Sequence, residues 1–185
     1  MSKVLVPLGA GFEEIEAVSI IDILRRAEIE VLVASLDEKT LVKGANGIVI
    51  QAEYEVKKIS SDMIDMIVLP GGWDGTYALS DDKNVQNLLK EMDAKGKQIG
   101  AICAAPFALN KAGVLKQNYT CYPSVEKEIR EEGYMGETAM VVEDDNIMTS
   151  RGPATAICFA LEIVKKLEGE AMYQTIKSGI LASYC

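Results

Sequence analysis

Residues 98–106 read Gln-Ile-Gly-Ala-Ile-Cys-Ala-Ala-Pro (QIGAICAAP). Gln98–Ile102 is a short apolar run and reads as a buried strand. A helix follows from about Ala104 to Lys111. Strand and helix meet at Cys103 with no linker between them. The residues two before and two after the cysteine, Ala101 and Ala105, are both small. A strand-to-helix turn this tight tolerates only small neighbours, as in the nucleophile elbow of hydrolases. A buried strand running straight into a helix is also the repeating unit of a parallel sheet.

The same alternation extends outward in both directions. Lys3–Leu8 (KVLVPL), Glu30–Ala34 (EVLVA) and Met66–Leu69 (MIVL) read as buried strands. Gly47–Ile50 reads as a short strand in a hairpin-like excursion. Ala139–Val142 and Ile147–Thr149 flank an Asp144-Asp145-Asn146 turn. Glu13–Ala27 reads as a helix with an inward stripe at Glu16, Ile20, Ile23 and Ala27. Asn84–Ala94 ends at a Gly96 cap, Pro153–Lys166 starts on proline, and Glu170–Leu181 is the last helix. Continuous apolar strands separated by helices predict a doubly wound α/β domain over residues 1–185. Its sheet is mostly parallel and has helices on both faces. Ligands in such sheets sit at the carboxyl ends of the strands, near a topological switch point. Chemistry is therefore expected in the loops at 9–16, 70–76, 103–106 and 150–153.

Composition narrows the chemistry. The 185 residues contain no His and carry a net charge of −9. Without His there is no Cys–His dyad, no Ser–His–Asp triad and no HExxH zinc site. The four cysteines, at 103, 121, 158 and 185, show neither CxxC spacing nor a disulfide framework. No metal and no cofactor are expected, and free thiols point to a reducing cytoplasm. The acidic chain lacks the basic cluster that a nucleic acid requires. Its longest apolar run, Ile99 to Leu109, falls well short of the ~20 residues that span a bilayer.

Each loop offers one reading. Cys103 at a helix N-terminus is expected to have a lowered thiol pKa. Pro70-Gly71-Gly72 follows a buried strand, and its N–H groups are placed to form an oxyanion hole with that of Ala104. Gly9-Ala10-Gly11 opens like a dinucleotide fingerprint, but Glu14 stands where the third glycine belongs. Glu13 and Glu14 are expected to be exposed and to complement the helix dipole. Glu16 shares a stripe with Ile20, Ile23 and Ala27; held inward it is expected to be desolvated with a raised pKa, and the pattern equally allows a solvated glutamate. Arg151, within Thr149-Ser150-Arg151-Gly152-Pro153, suits a carboxylate or anionic product, or is simply solvated near a helix start. Cys158 is expected to pack in the core, and Cys185 to be mobile at the terminus. Trp73 and Tyr77 are open to a pocket, a subunit contact or plain surface cover.

Together these motifs resemble the ThiJ/PfpI superfamily, closest to its Parkinsonism-associated deglycase-like branch. They are Lys3–Leu8 with the Glu-Glu-Ile-Glu helix start, Leu69–Gly72, Ala101–Pro106 and Thr149–Pro153, and they cover nearly the whole chain in order. The resemblance implies a flavodoxin-like fold and a homodimer. It implies that Cys103 is a reactive thiol readily oxidised to sulfinic acid, with Glu16 as its protonated partner. It also implies that Gly72 and Ala104 supply N–H groups to the site. Members of the family act as glyoxalases, deglycases, chaperones, proteases and redox sensors.

One departure matters. Many members place a His close to the cysteine, and here Tyr122 occupies the stretch where the deglycase-like branch often has it. That argues against protease activity and leaves glyoxalase chemistry without a second base. The expected function is a Cys103-dependent glyoxalase or deglycase assisted by Glu16, acting on small carbonyl substrates, with Arg151 and Tyr122 binding substrate. The alternative is an oxidative-stress sensor or chaperone-like protein whose Cys103 is oxidised with little turnover.

Overall fold

The computed structural model describes residues Met1–Cys185. Its strands are β1 (Lys3–Leu8), β2 (Glu30–Ser35), β3 (Leu41–Lys43), β4 (Val49–Gln51), β5 (Tyr54–Glu55), β6 (Met66–Leu69), β7 (Gln98–Ile102), β8 (Val141–Asp144) and β9 (Ile147–Ser150). Its helices are α1 (Glu14–Arg26), α2 (Trp73–Asp81), α3 (Lys83–Ala94), α4 (Pro106–Ala112), α5 (Glu126–Ile129), α6 (Ala156–Glu168) and α7 (Glu170–Gly179). Seven strands form one sheet in the order β5-β2-β1-β6-β7-β9-β8. Every pairing is parallel except that of β8 with β9. β3 and β4 form a separate antiparallel hairpin.

Strand periodicity sorts the core into two halves. Val4, Val6 and Leu8 of β1 point to one face of the sheet and Leu5 to the other. The first face is covered by α1, α6 and α7, whose Ile20, Leu24, Phe159, Val164 and Tyr173 pack there. The second is covered by α3 and α4, through Val85, Leu88, Leu89, Met92 and Leu109. Both faces being buried explains why the strands read as unbroken apolar runs. From β1 the chain passes to β2 on one side and later to β6 on the other. The switch point therefore lies between β1 and β6, and α1 and the Gly71-Gly72 loop begin there.

Three expectations change. Trp73–Asp81 is a helix, although Gly75 in its first turn and the glycines before it read as loop. α6 starts at Ala156, after a 3-10 turn over Pro153–Thr155. The cysteines are not all free. Cys158 and Cys185 form a disulfide that fastens the terminus to α6, and only Cys103 and Cys121 remain thiols. Cys158 is buried as expected but bonded, and Cys185 is anchored rather than mobile. Their 27-residue separation carries no local pattern. With this pair formed, free thiols no longer argue for a reducing compartment.

Candidate active site

Cys103 is the first residue beyond β7, and it holds a positive φ of 65°. An L-residue adopts that conformation only where its surroundings enforce it. The surroundings are hydrogen bonds on both sides. The Cys103 N–H donates to the Ser150 carbonyl at 3.0 Å, and its carbonyl accepts from the Tyr122 N–H at 2.9 Å. The side chain is only partly buried. This strained corner, flanked by Ala101, Ala104 and Ala105, aims the sulfur at the loops that follow β1 and β6.

Glu16 reaches the same point from α1. It is fully buried, with one oxygen accepting from the Gly71 N–H at 2.8 Å. The other oxygen has no hydrogen-bond partner among the protein's nitrogens and oxygens. Glu13 caps α1 by accepting from the Glu16 N–H at 2.8 Å, and its own N–H donates to the Gly71 carbonyl at 2.9 Å. The two loops thus hold each other. Gly71 is required for space: a Cβ there would lie 2.6 Å from Cys103 Cβ and 2.7 Å from Glu16 Oε2. Gly72 has φ 86°, and a Cβ on it would meet the Gly11 carbonyl at 2.5 Å.

The electrostatics follow from burial. Desolvation pushes the Glu16 carboxyl up to about 7, against the pull of the Gly71 N–H and the Cys103 side chain. Desolvation also pushes the Cys103 thiol up, and the Glu16 charge and hydrogen bond push it further. Only the Gly72 and Ala104 N–H groups, which hydrogen-bond the sulfur, pull it down. The expected lowering by a helix N-terminus is therefore outweighed. α4 itself begins only at Pro106, three residues beyond the cysteine. Thiol and carboxyl titrate as a pair that retains at least one proton at neutral pH.

The Gly71 N–H is committed to Glu16, which leaves Gly72 and Ala104 as the two N–H groups facing the sulfur. Arg151 pairs with Glu137 at 3.0 Å, while its Nε is buried without a partner. Arg151, Gly152 and Pro153 line a cavity of about 230 Å³ with the half-exposed Tyr122 and Pro123. A larger cavity, about 470 Å³, lies beside the disulfide, lined by Met140, Glu143, Glu162 and Tyr184. Neither cavity is lined by Cys103 or Glu16.

Glu14 corrects its expectation. It is buried, accepting from the Asn46 N–H at 2.6 Å, the Asn46 side chain at 3.0 Å and the Ile48 N–H at 3.3 Å. Burial alone would raise its pKa, but these bonds and its own backbone hold it below the usual carboxylate value. Gly9 and Gly11 serve packing: a Cβ on either would strike α2, at the Gly75 carbonyl (2.6 Å) or Asp74 Cβ (2.5 Å). Cys121 is buried, and its thiol is pushed up to about 12, chiefly by desolvation. Phe107 was not singled out from sequence. It packs with Trp73 and Tyr77 next to the cysteine corner, and its signal was its place one residue after the helix-starting proline.

The chain has relatives among known proteins. Residues 2–166 match the DJ-1/PfpI family. The chain is 39% identical to protein dj-1beta of Drosophila melanogaster over 186 residues, covering 100% of both sequences. It is 31% identical to glutathione-independent glyoxalase DJ-1 of Schizosaccharomyces pombe, covering 95% of this chain and 96% of that one. Among solved structures, oxidized Toxoplasma gondii DJ-1 superposes with a TM-score of 0.92 at 36% identity, covering 98% of each chain. The flavodoxin-like sheet, the motif order and these similarities agree: the chain belongs to the DJ-1/PfpI family.

Proposed function

We propose that the protein is a cofactor-independent glyoxalase of the deglycase-like type, acting on small 2-oxoaldehydes or their adducts. The observation that carries this reading is the closeness of Cys103 and Glu16, both of which a Cβ on Gly71 would strike, at 2.6 Å and 2.7 Å. Two relatives carry the name glutathione-independent glyoxalase, from Caenorhabditis elegans and S. pombe.

The chemistry follows from the pair. Glu16 accepts the thiol proton while the two N–H groups stabilise the thiolate. The sulfur adds to the aldehyde carbon, and the new oxyanion takes the thiol proton back from Glu16 to give a hemithioacetal, leaving Glu16 a carboxylate. Glu16 then moves a proton from the former aldehyde carbon to the neighbouring carbon through an enediol, leaving a thioester of the 2-hydroxy acid. Water hydrolyses the thioester, releasing lactate from methylglyoxal and restoring the thiol. Carbon is oxidised and reduced within one molecule, so no external oxidant is needed. Arg151 and Tyr122 line one cavity, Tyr122 is tied by its N–H to the Cys103 carbonyl, and both bind the substrate oxygens in this reading.

The test counts lactate formed from methylglyoxal, because any thiol or amine depletes an aldehyde reversibly. Wild type should form lactate and Cys103→Ala should not. Absence of lactate above buffer sinks the reading for this substrate. A redox-sensing role would then take its place, favoured by a partly exposed sulfur beside a carboxyl able to donate to its oxidised form. A cytoplasmic setting is proposed with it, where the reductant that keeps Cys103 a thiol also acts on the Cys158–Cys185 bond. A homodimer is proposed with it, because Ile15 and Val18 of α1 and Ile48 and Val49 of the hairpin are exposed. Light scattering behind a sizing column should give twice the 20.1 kDa chain mass.

A further inference from the structure

We infer that Trp73, Tyr77 and Phe107 form a binding ledge beside Cys103 for a flat apolar group on the substrate, so that aryl 2-oxoaldehydes are preferred over methylglyoxal. The inference deepens the glyoxalase reading and rests on it for the chemistry.

The ledge is built by the same two loops that build the site. Trp73 directly follows Gly72 and opens α2, two residues after Gly71, where an added Cβ would lie 2.6 Å from Cys103 Cβ. Phe107 is the second residue of α4, four beyond Cys103, and its N–H donates to the Ala104 carbonyl at 3.0 Å. Phe107 and Cys103 pack against one small apolar cluster. Tyr77 stands one helical turn along α2 from Trp73 and stacks on it at 5.2 Å, with 22° between the rings. Phe107 meets both edge-on, at 6.1 and 5.7 Å.

These rings are ordered but not covered. Trp73 remains 37% and Tyr77 47% exposed. The chain has only one Trp, seven Tyr and three Phe, so three of its aromatics gathered at one spot is a concentration. Single exposed apolar side chains need no explanation, but a contiguous stacked set does. Stacked and edge-on rings favour another ring, because quadrupoles add to the area buried. A methyl group offers neither. The ledge touches no reacting atom; its effect is on binding.

The chain supplies its own reporter, since Trp73 is the sole tryptophan. The proposed chemistry turns phenylglyoxal plus water into mandelate, and methylglyoxal plus water into lactate. Each product is titrated into the intact protein while Trp73 emission is followed. Mandelate should give a saturable change with a dissociation constant about tenfold below that of lactate. Tyr77→Gln and Phe107→Thr should each weaken mandelate at least about threefold and leave lactate unchanged. Tyr77 is half-exposed, so its variant keeps the test available if Phe107→Thr fails to fold. Equal affinities, no saturable response to mandelate, or a response that survives both substitutions overturns the ledge. Turnover is read separately, as mandelate and lactate formed from the two aldehydes. Failure on both overturns the glyoxalase reading alone, and the titration still decides the ledge.

Discussion

At the scale of single residues, Glu16 shows stability and chemistry in opposition. Its carboxyl is raised from 4.5 to about 7 in the folded protein. The folded state therefore binds a proton that the unfolded state has lost between those values. Stability contributed by the protonated form is full below about 4.5 and is lost as pH rises toward 7, a total of about 3 kcal/mol. Glu16→Gln removes the charge but keeps an oxygen for the Gly71 N–H. Urea unfolding at pH 8 should show the variant more stable than wild type by up to that amount. Product formation should fall about 100-fold or more. Alkylation of Cys103 should rise with pH with a midpoint near 7 in wild type, as Glu16 becomes able to take the thiol proton. That step should be missing in the variant.

Gly71 is the strictest position of the site. An added methyl collides with Cys103, Glu16 and the Ile102 carbonyl at once, and the nearest of these atoms belong to the reacting pair or to backbone. Gly71→Ala should cost about 1–3 kcal/mol in chemical denaturation. It should also abolish 2-hydroxy acid formation by separating sulfur from carboxyl. A variant that folds less stably yet keeps full turnover would show that the pair does not act together.

At the scale of elements, α1 is fixed at its first turn by a hairpin that follows it in the chain. Glu14 holds the β3–β4 turn through Asn46 and Ile48, and the Ala45 N–H donates to the Phe12 carbonyl at 2.9 Å. Glu14→Ala leaves buried amides without an acceptor, at about 1–3 kcal/mol. Hydrogen exchange at Asn46 and Ile48 should accelerate while the β1 and β6 amides stay protected. Unchanged exchange would show that the hairpin is held by its apolar contacts instead.

These elements also show what a sequence can carry. β1, β6 and β7 were legible because burial on both faces writes itself as a continuous apolar run. Cys103 was legible because a tight corner demands alanines around it, and Glu16 because it falls on an inward helical stripe. Glu14 looked like a surface charge because its partners come from a turn some thirty residues away. α2 was hidden by Gly75, kept where a Cβ would strike the Phe12 backbone at 2.8 Å. The reversal of the Cys103 thiol shift came from burial and from Glu16, neither of which is local to the cysteine.

At the scale of the whole molecule, the disulfide converts the final residue into a structural one. It closes a loop with a sequence separation of 27 residues, which by chain entropy contributes about 3 kcal/mol. Cys158→Ser should lower stability by that order in denaturant, and reductant should destabilise wild type toward the same value. Wild type unaffected by reductant would show the bond to be absent in solution. Cys103 chemistry should persist in the variant, because the bond lies outside the catalytic pair.

The seven-stranded sheet stops at both sides on modest strands. One edge is β5, only two residues long, and the other is β8, antiparallel and ending on Glu143 and Asp144. An incoming strand would find a short ladder on one side, and on the other a strand whose Glu143 is paired with Lys166 and whose Asp144 accepts from the Asn118 N–H. Sheet extension into a fibril is thus hindered by length at one border and by these cross-links at the other. Crowding or overproduction of this chain should consequently drive contacts between helix faces rather than cross-β growth.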